Sequence, residues 1–279
     1  MYPAGSTTEV KLITLLTDFG LEDGYPGIMK GVILGIAPDA QIVDLTHLIP
    51  PQNIMAGALA LSRAVPYFPP GTVHVAVVDP GVGTQRRAIA ARLGAHFFVS
   101  PDNGLLSVVC HQAQQRGEPV AFVHLDQPDY WLPRVSRVFH GRDVFAPVGA
   151  HLASGVPLAQ LGTAITDPLP LQLPDPQRLE DGGWRGEVLA VDHFGNLMTN
   201  LTAAHLEGLS PLQVRLGRFT IPDLAQAFGD GRPGQLVALI DSADYLSLCV
   251  VNGNAQQATQ AQIGDRVIVE RQNPARDRR

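Results

Sequence analysis

Apolar positions follow two different patterns along this chain. In the first half, short β-branched runs alternate with longer stretches whose apolar residues recur at helical spacing. Leu12-Ile13-Thr14-Leu15-Leu16 reads as a buried strand, and Ile28, Met29, Val32, Ile33 and Ile36 share one face of a helix closed by Pro38. Residues 42–47 read as a second strand. A helix over residues 54–65 opens at Asn53 and stops at Pro66, and residues 73–78 form a third strand. Residues 88–91 and 97–99 add two more strands and residues 104–112 a helix; Val144, Phe145, Val148 and Leu152 are the apolar stripe of another helix. This alternation predicts an N-terminal α/β domain over residues 1–165, with a central, mostly parallel, doubly wound sheet.

The pattern breaks in the proline-rich stretch 163–183, and the reading places a linker at 166–183. Beyond it, short strands at 186–191, 212–216, 236–240, 245–250 and 266–270 are separated by turn residues with little helix between them. Residues 184–279 therefore read as a C-terminal all-β barrel. No internal repeat interrupts either half.

Composition narrows the class. The chain has 279 residues, of which 45% are hydrophobic and 16% charged, as in a well-buried globular protein. A net charge of −6 argues against a nucleic-acid surface, and the basic tail Arg276–Arg279 reads as a solvated terminus. No apolar run reaches the ~18–20 residues that span a membrane. Met1–Ser6 shows no secretory pattern, and Cys110 and Cys249 read as buried free thiols, so a soluble cytoplasmic protein is expected.

Candidate chemistry gathers at strand ends. Three strands are read as ending in aspartate, at Asp18, Asp44 and Asp79, and ligands of open α/β sheets collect beyond the carboxyl ends of strands. After Asp79 come Pro80, Gly81 and Gly83, a turn across which Arg86 can fold back. The same residues also suit a tight turn whose aspartate caps backbone amides. His140 sits in the dense cluster Phe139-His140-Gly141-Arg142-Asp143 that opens a helix, although a packed core histidine would also fit. No nucleophile elbow, zinc-protease motif or P-loop occurs, and with only Lys11 and Lys30 a lysine Schiff base is improbable. No spacing demands a metal, even at Asp79, His47 and His140. Residues alone lead to a hydrolase or a ligand-binding protein with a polar crevice.

Five motifs occur together in order: Thr17-Asp18-Phe19-Gly20 with Asp23; Asp44-Leu45-Thr46-His47; Val78-Asp79-Pro80-Gly81-Val82-Gly83-Thr84; Phe139-His140-Gly141-Arg142-Asp143; and Asp192-His193-Phe194-Gly195-Asn196. This set resembles the S-adenosyl-L-methionine hydroxide adenosyltransferases, relatives of the fluorinating and chlorinating adenosyl enzymes. The resemblance implies hydrolysis of S-adenosyl-L-methionine to adenosine and L-methionine, with no cofactor or metal. It also implies a homotrimer with sites at subunit interfaces. Asp79, Arg86 and His140 take the catalytic positions, Asp18 the ribose, and Asp23 the neighbourhood of the methionine. In the second domain, Asp192 takes the amino group, Ser242 the carboxylate, and Asn196, Asn254 and Ala255 the adenine. Ala243 follows Ser242 where the halogenating relatives carry an arginine, and those relatives carry a tyrosine in place of Asp79. A non-catalytic protein that binds or senses adenosine or S-adenosylmethionine is the alternative.

Overall fold

The computed structural model describes residues 11–272. Met1–Ser6 and Arg276–Arg279 lie outside the described residues. The chain separates into two units between Leu171 and Gln172.

The first unit runs β1 (Leu12–Thr17), α1 (Tyr25–Ile36), β2 (Gln41–Thr46), α2 (Ile54–Ala64), β3 (Val73–Val77), β4 (Ala88–Leu93), β5 (His96–Pro101), α3 (Ser107–Gln115), β6 (Val120–His124), α4 (Ala146–Ala153) and β7 (Thr163–Ile165). The sheet order is β2-β1-β3-β5-β4-β6-β7. The first four strands in that order pair in parallel, whereas β5–β4, β4–β6 and β6–β7 are antiparallel. The sheet is thus mixed, and the mostly parallel expectation holds for one half of it. The cause is local: only Gly94 and Ala95 separate the paired residues Leu93 and His96. A two-residue connection can only join antiparallel neighbours.

α1 and α4 pack together on the face that carries Ile13, Leu15, Val73 and Val75. α2 and α3 pair on the other, where Gly57 lies against Leu16 and Val78. Burying each such aliphatic chain stabilises the fold by about 1.5–3 kcal/mol. Asn53 caps α2 by accepting the Ala56 N–H at 2.9 Å, as its position before the apolar run suggested. On α1, Met29 and Ile33 are buried, but Ile28 of the expected inner face is exposed. Thr17 pairs with Val77, so Asp18 and the Val78-Asp79 pair leave the same edge of the sheet. β1 is where the strand order reverses, the place at which open α/β sheets form ligand crevices. Asp44 is no strand terminus: it lies inside β2, opposite Leu15.

The second unit contains β8 (Gln177–Arg178), β9 (Trp184–Val191), β10 (Leu197–Thr202), α5 (Ala203–Leu206), β11 (Leu212–Leu216), β12 (Phe219–Pro222), β13 (Leu236–Ile240), β14 (Tyr245–Val250), α6 (Ala255–Thr259) and β15 (Arg266–Arg271). Its order is β12-β11-β15-β9-β10-β14-β13, antiparallel throughout, and it curls into a nearly closed barrel-like sheet around Val188, Leu197, Leu201, Val214, Leu248 and Val267. Within the stretch read as a linker, Leu169 and Leu171 donate backbone N–H bonds to Asp102 and Ser107 of the first unit. Gln177–Arg178 pairs with β9 of the second.

Candidate active site

Asp79, Arg86 and His140 come together although 54 residues separate the last two. Arg86 grips both carboxylate oxygens of Asp79: Nε donates to Oδ1 at 2.8 Å, and Nη2 makes a very short contact with Oδ2. Both side chains are more than nine-tenths buried, at 9% and 6% exposure. The Phe145 ring lies 5.2 Å beneath the guanidinium carbon, a cation–π contact that leaves Arg86 few alternative positions. Asn103 Nδ2 donates to the Val78 carbonyl at 2.8 Å, pinning the backbone just ahead of Asp79. The turn needs its glycine: Gly83 has φ +77, and a Cβ there would stand 2.3 Å from the Arg137 carbonyl oxygen.

Arg86 Nη2 also lies 2.9 Å from His140 Nδ1. A guanidinium only donates, so Nδ1 is the acceptor and the ring proton sits on Nε2. Burial first, then the Arg86 charge, push the His140 pKa below its ordinary value, against the opposing pull of Asp79 and Asp143. His140 is therefore a neutral imidazole that presents an N–H. It stands at the start of a π-helical turn, Gly141–Phe145, that leads into α4. Such turns recur at functional sites. Asp143, fully buried in that turn, accepts the Ser136 N–H at 2.7 Å and the Arg142 side chain, and so ties the preceding loop to it. The neighbouring Arg87 is committed elsewhere, to Asp102 at 2.7 Å and Asp167 at 2.9 Å.

Asp18 opens the loop after β1. Its Oδ2 accepts the Gln52 N–H at 2.8 Å, and among the described residues no donor reaches Oδ1. Gln52 holds a left-handed conformation, φ 64, to make this contact. Asp23 is exposed further along the loop. Asp44, expected at the crevice, instead binds Lys30 at 2.6 Å and faces His47 at 3.0 Å.

In the second unit Asp192, Asn196 and Asn254 cluster. Asp192 Oδ1 accepts the N–H groups of Phe194 and Asn196, and Oδ2 accepts Asn196 Nδ2 at 2.8 Å. Gly195, at φ +85, lets the Asn254 side chain lie where a Cβ would stand. Asn254 caps α6 by accepting the Gln257 N–H at 2.7 Å, and Ala255 is fully buried in the barrel core. Ser242 is exposed on a separate turn, which Asp241 closes by accepting the N–H groups of Ala243 and Tyr245. Burial, then Asp192 and Asp241, push the nearby Cys249 thiol up to about 12, so it stays protonated. Cys110 is only partly buried, short of the expectation.

A cleft of about 440 Å³ is lined by Phe194, Asn196, Phe228, Val250, Asn252 and Gly253. Phe194 is 71% and Phe228 47% exposed, an unusual state for two aromatics beside one asparagine. The sequence reading passed over both. Phe194 stood inside a noted motif, whereas nothing local distinguishes Phe228. It also gave no role to Asn103 and Asp143, whose work is visible only through partners 25 and 7 residues away. Among the described residues no group of three or more His, Cys, Asp or Glu could hold a metal ion.

A hydrogen-bonded trio built on a buried ion pair, at the switch point of a mixed α/β sheet and on a chain that continues into an antiparallel barrel, defines a two-unit protein with its polar centre on the first unit. Residues 13–162 match the SAM hydroxide adenosyltransferase N-terminal domain and residues 186–268 the C-terminal domain of the same family. The chain belongs to the SAM hydroxide adenosyltransferase family. It is 44% identical to a Salinispora arenicola protein named (R)-S-adenosyl-L-methionine hydrolase, over 92% of this chain and 97% of that one. A Nocardia brasiliensis fluorinase is 29% identical, over 85% of this chain and 89% of that one. The crystal structure of an uncharacterized conserved protein from Thermotoga maritima superposes with a TM-score of 0.85 at 38% identity, covering 93% of this chain and all of that one.

Proposed function

We propose that the protein hydrolyses S-adenosyl-L-methionine by attack of water at C5′ of the ribose. The observation that carries this reading is the Asp79–Arg86–His140 trio, in a chain closely related to a protein named as such a hydrolase. The sulfonium is already a good leaving group, so the site must align and activate water and need not supply an acid. Water attacks C5′, the C5′–S bond breaks, and its electron pair passes to sulfur as methionine leaves. The water proton passes to Asp79, whose oxygens keep lone pairs beyond those that Arg86 uses, and then to solvent. His140, with its Nδ1 occupied and its proton on Nε2, orients the water by donating and is not the base.

Asp18 holds the ribose hydroxyls with its unoccupied oxygen. Adenine lies between Phe194 and Phe228 with Asn196 at its edge, a reading supported by the shape and aromatic lining of that cleft. Asp192 and Ser242 serve the methionine end, and Asp23 lies near it. No cofactor or metal takes part. The enzyme acts as a homotrimer with shared sites. The division of candidates between the two units supports this, as do exposed Leu21, Tyr25, Ile28 and Leu34 along and before α1. A cytoplasmic location accords with the unpaired Cys110 and Cys249, and among the described residues no helix is long and apolar enough to cross a membrane.

Reaction in ¹⁸O-water tests the proposal, using each sulfonium epimer separately because the name of the relative specifies (R). Label is expected in the 5′-hydroxyl of adenosine. Unlabelled adenosine, or no turnover of either epimer, overturns the hydrolysis. High chloride should yield no 5′-chloro-5′-deoxyadenosine. At an effective dielectric near 20, Asp79 repels an anion ~4 Å away by about 4 kcal/mol, and Arg86 is engaged with Asp79.

A further inference from the structure

The Asp44-Leu45-Thr46-His47 motif has no part in the trio, yet its histidine is 3% exposed, with polar contacts at both ring nitrogens. His47 Nε2 lies 3.0 Å from Asp44 Oδ1, off the ring N–H axis, so this contact acts through charge and dipole. The carboxylate keeps the ring proton on Nε2 and leaves Nδ1 bare. Asp44 is held in turn by Lys30 at 2.6 Å. Burial works to raise its pKa, but the Lys30 bond and the His47 contact outweigh it and hold the group below its ordinary value. Nδ1 lies 2.9 Å from Thr17 Oγ1, and with Nδ1 bare the hydroxyl donates. Thr17 Oγ1 then accepts the Phe19 N–H at 3.2 Å, and the His47 carbonyl accepts the Gly20 N–H at 2.8 Å. The residue enclosed by these bonds is Asp18.

We propose that His47 is a positioning residue for Asp18: through Thr17 on one side and Gly20 on the other, it fixes the loop so that the open carboxylate oxygen meets the ribose hydroxyls. The proposal rests on Asp18 holding the ribose. The remaining ends of the loop are already anchored, by the Gln52 N–H on Asp18 Oδ2 and by the Phe19 ring against Phe139, centroids 5.9 Å apart. On the strand side the Thr17 backbone is held by the Ile49 N–H at 3.4 Å and by pairing with Val77, and the His47 side chain adds the bond to the Thr17 hydroxyl. A merely structural histidine would affect all ligands alike. A positioning residue affects the hydroxyls specifically.

Calorimetric titration of the full chain with adenosine and with 2′,3′-dideoxyadenosine separates these roles. The unaltered protein should prefer adenosine by about tenfold or more, as expected for hydrogen bonds to a charged group. Asp18→Ala should abolish that preference. His47→Phe and Thr17→Val should remove most of it, each leaving dideoxyadenosine affinity within about twofold, because the other contacts of the nucleoside are untouched. His47→Asn, whose amide oxygen can accept from Thr17, should restore part of the preference. If His47→Phe fails to fold, Thr17→Val and His47→Asn carry the comparison. Full preference retained in the His47 and Thr17 variants, with Asp18→Ala losing it, overturns the positioning role alone. So does a parallel fall in affinity for both nucleosides. Preference retained in Asp18→Ala removes the ribose role of Asp18 and the proposal with it.

Discussion

The two units bury apolar cores of the same kind but treat polar groups in opposite ways. The first encloses His47, His74, Asp102 and Asp143, each under 4% exposed, besides five hydroxyl residues. The buried polar residues of the second are Thr199, Asn200 and Ser247, all neutral. Its charged and amide candidates stand instead on turns between strands, around Asp192 and Asp241, where an aspartate folds its own loop. A carboxylate that must activate water needs a dry, fixed setting, which only interior bonding provides. Groups that recognise the outer parts of a ligand can sit on turns, held by local bonds and open to solvent. The first unit should therefore lose stability along with function when its polar groups are altered, and the second should lose function alone.

The largest effect tests the trio. Asp79→Ala and Arg86→Ala should each lower kcat by about 10²–10⁴-fold, and the double variant little further, because the residues act as one unit. Arg86→Ala also strands a buried carboxylate, so urea unfolding should show a loss of about 3–5 kcal/mol. An equal loss from Asp192→Ala would break the contrast between the units.

Acid provides the second test. Burial first, with His96 adding to it, lowers the His74 pKa from 6.5 to about 3. The unfolded chain therefore binds this proton first, and native stability declines as pH falls through 6.5 toward 3. The full difference is about 5 kcal/mol, at 1.36 kcal/mol per pKa unit. Hydrogen exchange at pH 4.5 should show protection falling in β3 and β5 well before β10 and β14, and His74→Gln should flatten the trend. Parallel loss in both sheets would mean that the units unfold together and that the buried histidine does not set the acid limit.

A third and smaller effect concerns recognition. Phe194→Ala and Asn196→Ala should raise KM by about tenfold while changing unfolding free energy by less than about 1 kcal/mol, since both side chains line an open cleft. A melting shift as large as that of Arg86→Ala would show that the turn is part of the fold's support.

The smallest effect is a displacement of a pH profile. Because the His140 pKa is lowered, kcat/KM should stay level as pH falls through the usual histidine value near 6.5 and decline only further into acid. There the imidazolium would set an N–H against Arg86. A fall centred at 6.5 would mean that His140 titrates as an ordinary exposed histidine and that Arg86 does not donate to it.

The sequence alone determined what periodicity and turn chemistry control. β1, β2, β3 and the stripe of α4 follow from apolar spacing, α2 from its Asn53 cap and Pro66 stop, and the turn after Asp79 from its glycines. Five ordered motifs were enough to mark the family. Five strands escaped: β6, β7, β8, β10 and β12. β6 is a five-residue run with no alternation, and β10 is buried on both faces, so its threonines and asparagine hide the period of two. Tertiary structure alone decided the removal of Asp44 from the crevice, the engagement of Arg87 with Asp102 and Asp167, and the proton position on His140. Each of these depends on groups brought together from distant parts of the chain, and hydrogen-bond geometry over ~3 Å leaves no trace in local spacing.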